Sequence, residues 1–117
     1  MSMEKSAKAM TIVEESDKQL LDCIDKAFDT LGESVKQVVF WNFERMFKLK
    51  RAEIPDQPER FVEAIRSMFG PGASIIERNI LREISNSLQL TNVETRELAI
   101  VITKARNHIR QLKHGDV

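Results

Sequence analysis

Few side chains in this sequence are equipped for covalent or proton-transfer chemistry, and their spacing does not gather them. Cys23 is the single thiol, and His108 and His114 are the two imidazoles. The histidines stand six residues apart, so they do not share a helix face as metal ligands four apart would. Cys23 lies at the edge of an apolar face, where a lone cysteine ordinarily belongs to the core. A pairing with either histidine through the fold stays open. Glu77 falls between Ile80, Ile84 and Leu88 on a helical wheel. A buried acid there would titrate high, but Ser74 three residues earlier makes a capping box the simpler expectation. The run Gly70-Pro71-Gly72-Ala73-Ser74 sets glycines ahead of a helix start, which can bare amides to a phosphate or carboxylate. No Lys-Ser or Lys-Thr follows and no strand precedes, so the run is not a P-loop and reads as an interhelix turn. The expectation is no enzyme, no catalytic residue, no cofactor and no metal.

Binding chemistry is better represented. Trp41 falls on the wheel among Gln37, Glu44, Arg45 and Lys48, opposite a stripe of Val35, Val39, Phe43 and Met46. An indole on a polar face suits a partner-binding hot spot, since tryptophan buries a large area at low entropy cost. Packing under the 49–57 loop or against the last helix would also explain it. Charge is distributed unevenly: positions 14–33 hold seven acids and two lysines, whereas 98–115 hold Lys104, Arg106, Arg110, Lys113 and both histidines, with no acid. Four basic side chains on a helix can contact phosphates, and Lys48, Lys50 and Arg51 form a second short basic patch. The competing reading is a solvated face that pairs with the acidic first helix.

The elements that position these residues are helices. Apolar residues recur at spacings of three and four, and no segment alternates with period two. Four starts carry Ser or Thr followed three residues later by Gln or Glu: Ser16/Gln19, Ser34/Gln37, Ser74/Glu77 and Thr91/Glu94. In such a box two amides of the first turn are satisfied reciprocally. Pro58 marks a fifth start, its fixed φ suiting the first helical position. The spacing predicts helices over 17–31, 34–48, 58–69, from the glycine turn to about 88, and 92–113. Gly32 ends the first, and Pro55 and Pro58 leave 49–57 as a loop. The second helix is apolar over well over half its circumference and therefore belongs in the middle of the fold. In the last helix Leu98, Ile102, Ala105, Ile109 and Leu112 repeat at four and three. That seam serves either a coiled-coil dimer or packing on the first two helices. Ile100 and Val93 on its other side predict burial of that helix's first half on two faces.

Composition sets the frame. The 117 residues make one domain, 42% hydrophobic, with a core large enough to fold alone. Residues 1–10 are small, polar and aperiodic and read as a disordered segment preceding a five-helix domain over 11–117. Eighteen basic and eighteen acidic residues give zero net charge, which argues against a dedicated nucleic-acid binder. One cysteine excludes an intramolecular disulfide and fits a reducing compartment. The longest strictly apolar run, 98–102, spans no membrane, and the N-terminus lacks a signal-peptide stretch. The expected location is cytoplasmic.

One stretch resembles a known family. Leu31-Gly32-Glu33-Ser34-Val35-Lys36, Val39-Phe40-Trp41-Asn42-Phe43-Glu44, Ile54-Pro55, Phe61 and Phe69-Gly70-Pro71-Gly72-Ala73 with Ile76-Glu77 resemble small archaeal helical proteins. These are grouped among the Nitrososphaera-type output domains of signalling systems and were formerly a domain of unknown function. The resemblance covers roughly residues 28–90. It implies an α-helical module that acts in signal transduction by contacting proteins, and it brings no catalytic residues. Composition, Trp41 and resemblance together predict a non-enzymatic interaction module. Its partner is another protein or a second copy, met through Trp41, Gln37, Arg45 and Lys48. The alternative is an accessory nucleic-acid-binding regulator using Lys104, Arg106, Arg110 and Lys113, with Lys50 and Arg51.

Overall fold

Helical periodicity becomes helix wherever the structure is described. The computed structural model describes residues 12–88 and 97–115. Five α-helices lie within them: α1 Ile12–Asp29, α2 Glu33–Phe47, α3 Pro58–Phe69, α4 Ala73–Leu88 and α5 Leu98–Gly115. The protein is all-α among the described residues. The expected disorder of 1–10, the Thr91/Glu94 cap and the expected start of the last helix at Asn92 lie outside them.

The helix starts differ from the capping boxes. α1 begins at Ile12, five residues before the expected start, and leaves Ser16 inside the helix with no exposed surface. The Ser16 hydroxyl is used across the fold instead, accepting from Nε of Arg110 at 3.2 Å. α2 begins at Glu33 with Gly32 as its cap residue and no side-chain cap bond. Gly32 holds φ +92°, a conformation that a residue with a Cβ resists. α4 begins at Ala73, after a single 3-10 turn at Gly70–Gly72, so Ser74 is already helical. Only Pro58 stands at the helix start expected of it. Serine boxes failed because each serine lay one or more residues inside a helix that started earlier.

The 49–57 segment is not an open loop. Arg51–Asp56 forms a 3-10 helix with Pro55 inside it, and the Glu53 carboxylate accepts from the Lys50 amide at 2.8 Å. Pro55 has no amide to donate, and the segment is closed on either side of it by the Glu53 amide on the Lys50 carbonyl and the Gln57 amide on the Glu53 and Ile54 carbonyls. Leu49, Ile54 and Pro55 are buried, so the segment contributes to the core.

The core is built from α1, α3, α4 and α5 packed on one another. Leu20, Ile24 and Phe28 of α1 meet Phe61 and Ile65 of α3, Ile80 and Ile84 of α4, and Leu98, Ile102 and Ala105 of α5, all with at most 1% exposure. The α5 seam is therefore internal as far as Ile109, while Leu112 is exposed. Val101 only widens this same buried stripe; Ile100 is 41% exposed, so the expected burial on a second face is not found there, and Val93 lies outside the described residues.

The expectation that α2 is central is overturned. Among its residues only Val39 and Phe43 are buried, and the helix packs on α1, on the 3-10 segment and, through Phe43 and the Phe47 carbonyl, on Phe61 and Arg60 of α3. It is attached along one edge, through Phe40 and Phe43. Their rings meet Phe28 at centroid distances of 5.3 and 6.2 Å, and Phe43 meets Phe61 at 5.6 Å, all edge to face. That is the favoured arrangement for aromatic quadrupoles.

Candidate functional site

The outward side of α2 carries the surface of interest. Trp41 is 57% exposed, which removes the reading that it packs under the neighbouring loop or against the last helix. Val35, Val38 and Met46 are also open on this helix, with 46, 55 and 64% of their surfaces exposed, so Val35 and Met46 are not part of a buried stripe as expected. At 100° per residue, Val35, Val38, Asn42 and Met46 share one side of the helix, with Trp41 and Arg45 along its margin. A scattered exposed valine needs no explanation, but four large apolar side chains open on one 15-residue helix mark it as a candidate contact surface.

The sequence-identified partner residues are found together here. The Arg45 guanidinium carbon lies 4.8 Å from the indole centroid, within the range of a cation–π contact. That contact fixes the indole without covering it. The amide Nε2 of Gln37 donates to Oε1 of Glu33 at 3.4 Å. Lys48 is exposed just past the helix end in the left-handed conformation, φ 54°. Its amide and that of Leu49 donate to the Phe43 carbonyl, which turns Leu49 back into the core. A left-handed lysine is a mild strain that glycine would avoid. Arg60 of α3 donates to the Phe47 carbonyl, closing the helix end from a second element. Val35, Val38 and Met46 were not identified from the sequence as part of this surface. The signal was present: an apolar arc too wide for one contact means two faces, and only one of them is used internally.

The basic residues of the alternative reading are not gathered. Arg106 holds Asp17 with Nε at 2.9 Å and Nη2 at 3.4 Å, and also donates to the Pro55 carbonyl and to Asp56. Arg110 reaches Ser16 and, at 3.6 Å, the same Asp17. Arg51 is paired with Asp25, with Asp22 at 4.0 Å. These three arginines tie α5 and the 3-10 segment to the acidic α1, the intramolecular pairing weighed for them in the sequence. Lys104 and Lys50 are exposed, and the Lys113 side chain lies outside the description.

The chemically reactive candidates are likewise engaged or buried. Cys23 has 4% exposure, and burial pushes its thiol above the ordinary value, partly offset by a hydrogen bond with Ser87. The Glu77 carboxylate does not complete a cap with Ser74; both its oxygens take the Arg66 guanidinium at 3.3 Å. Among the described residues no three His, Cys, Asp or Glu side chains cluster as metal ligands, and no helix is long and apolar enough to cross a membrane.

Comparison with protein-family models, curated proteins and solved structures returns no match. The archaeal resemblance therefore rests on its motifs alone. Of these, Phe69-Gly70-Pro71-Gly72-Ala73 forms the α3–α4 turn, and Val39-Phe40-Trp41-Asn42-Phe43 forms the middle of α2.

Proposed function

We propose that this protein is a non-enzymatic, cytoplasmic interaction module that engages another protein, a second copy included, through the outward face of α2. One observation carries the reading: Val35, Val38, Trp41 and Met46 lie open on a helix held to its own domain by the opposite edge. Burying apolar surface stabilises by about 25 cal/mol per Å², and a face of this kind has that stabilisation to gain from a partner. Trp41 supplies the anchor typical of interface centres, and Arg45 and Lys48 supply a polar margin. The resemblance to archaeal output domains agrees with a signalling or adaptor role. The buried Cys23 and the Arg66-bound Glu77 agree with the absence of a catalytic role.

The test compares wild type with Val38→Asp and Trp41→Glu. Both sites are exposed, so both variants keep the wild-type helicity and lie within about 0.5 kcal/mol of its stability. Light scattering then reads self-association: a wild-type mass above 13.5 kDa that the variants lose identifies a second copy as the partner. If all are monomers, a foreign partner isolated on the wild type binds it directly as a purified protein and binds the variants at least tenfold more weakly. Folded variants that bind as tightly as the wild type overturn the proposal.

A further inference from the structure

We propose that a groove on the α3–α4 hairpin, away from the α2 surface and independent of it, binds a small organic diphosphate. The groove encloses about 1090 Å³ and is lined by Arg66, Pro71, Glu77, Arg78, Leu81 and Arg82 among others. The carrying observation is a contrast in how this molecule uses its arginines. Among the described residues, Arg51, Arg66, Arg106 and Arg110 each hold a carboxylate. Arg60 donates to Gln57 and to the Phe47 carbonyl, and Arg45 lies on Trp41. Arg78 and Arg82 have no such partner among these residues, and both line the groove.

Two arginines one turn apart on a helix repel one another mildly. The arrangement becomes favourable when a multivalent anion lies between them. Their side chains spring from points about 6 Å apart, and each planar guanidinium can take two oxygens of a phosphoryl group. Two linked phosphoryl groups therefore fit the pair better than one. Glu77 does not cancel this charge, because Arg66 neutralises it at 3.3 Å and its side chain is only 13% exposed. Three arginines against one carboxylate leave the groove with two net positive charges in a chain of zero net charge. Pro71 and Leu81 give one part of the lining an apolar character suited to the organic group of an ester. No aromatic side chain is among the lining residues, so the stacking platform of a single-stranded nucleic-acid site is missing there.

The experiment is a titration of the isotope-labelled protein with inorganic pyrophosphate at about 0.15 M salt, where weak surface attraction is screened. Expected are saturable amide shifts along α4 from Ser74 to Ser85, with a dissociation constant below about 1 mM. Orthophosphate binds about tenfold more weakly, and Arg78→Gln and Arg82→Gln each weaken pyrophosphate about tenfold, the cost of losing a charged hydrogen-bond donor. Arg60→Gln leaves the affinity unchanged, and circular dichroism checks that each variant is folded. Absence of saturation overturns the proposal, as does binding that survives the Arg78→Gln/Arg82→Gln double variant. A short oligonucleotide that shifts these amides where pyrophosphate does not would overturn it in favour of a nucleic-acid ligand.

Discussion

Cys23 illustrates how burial decides the chemistry of a side chain. With 4% of its surface open, its thiolate is disfavoured and the thiol titrates above its ordinary value of 9.0. The sign of the linkage follows. Because the folded pKa is the higher one, the stabilisation is fully present below about pH 9, where the thiol is protonated folded or unfolded. It is lost as pH rises through the folded value, since the unfolded chain releases its proton first. Lys36 and Arg51, raised by hydrogen bonds to Asp29 and Asp25, act in the same alkaline direction. From neutral pH, chemical denaturation midpoints are therefore expected to hold steady to about pH 9 and to fall above it. The fall is shallower in Cys23→Ala once its own lower starting stability is subtracted. A thiol reagent at neutral pH is expected to reach Cys23 only when the fold opens, so native protein reacts more slowly than unfolded protein by the fraction of time it is open. Glu77 makes the complementary point: its spacing from Ser74 satisfied a capping rule, yet the carboxylate took a guanidinium from another helix.

At the scale of elements, the ties between α1, α5 and the 3-10 segment form one polar cluster. Asp17 faces both Arg106 and Arg110, with Asp17 and Arg106 only 17% exposed. Removing the acid leaves two partly buried cations without their shared counterion, a loss that typically costs about 3 kcal/mol. Asp17→Ala is expected to show that loss in urea denaturation, whereas Asp29→Ala, which removes a 53% exposed acid paired with Lys36, costs less than about 1 kcal/mol. This cluster also marks the limit of what the sequence disclosed. Helix number, the ends of α3 and α4 and most of the core were legible, because Leu20, Ile24, Phe28, Ile80, Ile84, Leu98 and Ile102 repeat with helical period and all proved buried. The position of α2 was not legible. Periodicity states which side of a helix is apolar, not whether a neighbour exists to cover it, so its wide arc was read as internal. Trp41, Gln37, Arg45 and Lys48 were legible as a shared face because all lie within three turns of one helix. The pairing of Arg106 and Arg110 with the acidic first helix was legible from charge as the competing reading, but the individual partners Asp17 and Ser16, 89 and 94 residues away, were not.

At the scale of the whole molecule, zero net charge conceals a sorted distribution. Asp17, Asp22 and Asp25 of α1 are spent on Arg51, Arg106 and Arg110 and Asp29 on Lys36, and two outward regions are left with different characters. The α2 face is apolar with a basic margin, and the α3–α4 groove is cationic. Were the proposed macromolecular partner and small anion both to bind, these two surfaces would supply the parts from which linkage between two ligands is made.

The position of Trp41 also makes this protein its own spectroscopic reporter. The chain has one tryptophan and no tyrosine, so nearly all fluorescence excited in the near ultraviolet arises from a single indole, and that indole stands in water on α2. Emission from the native protein is therefore expected to be red-shifted already and to change little when the core melts, so fluorescence will under-report unfolding that circular dichroism records in full. A partner that covers α2 shifts the emission to the blue against a dark background, with no label attached.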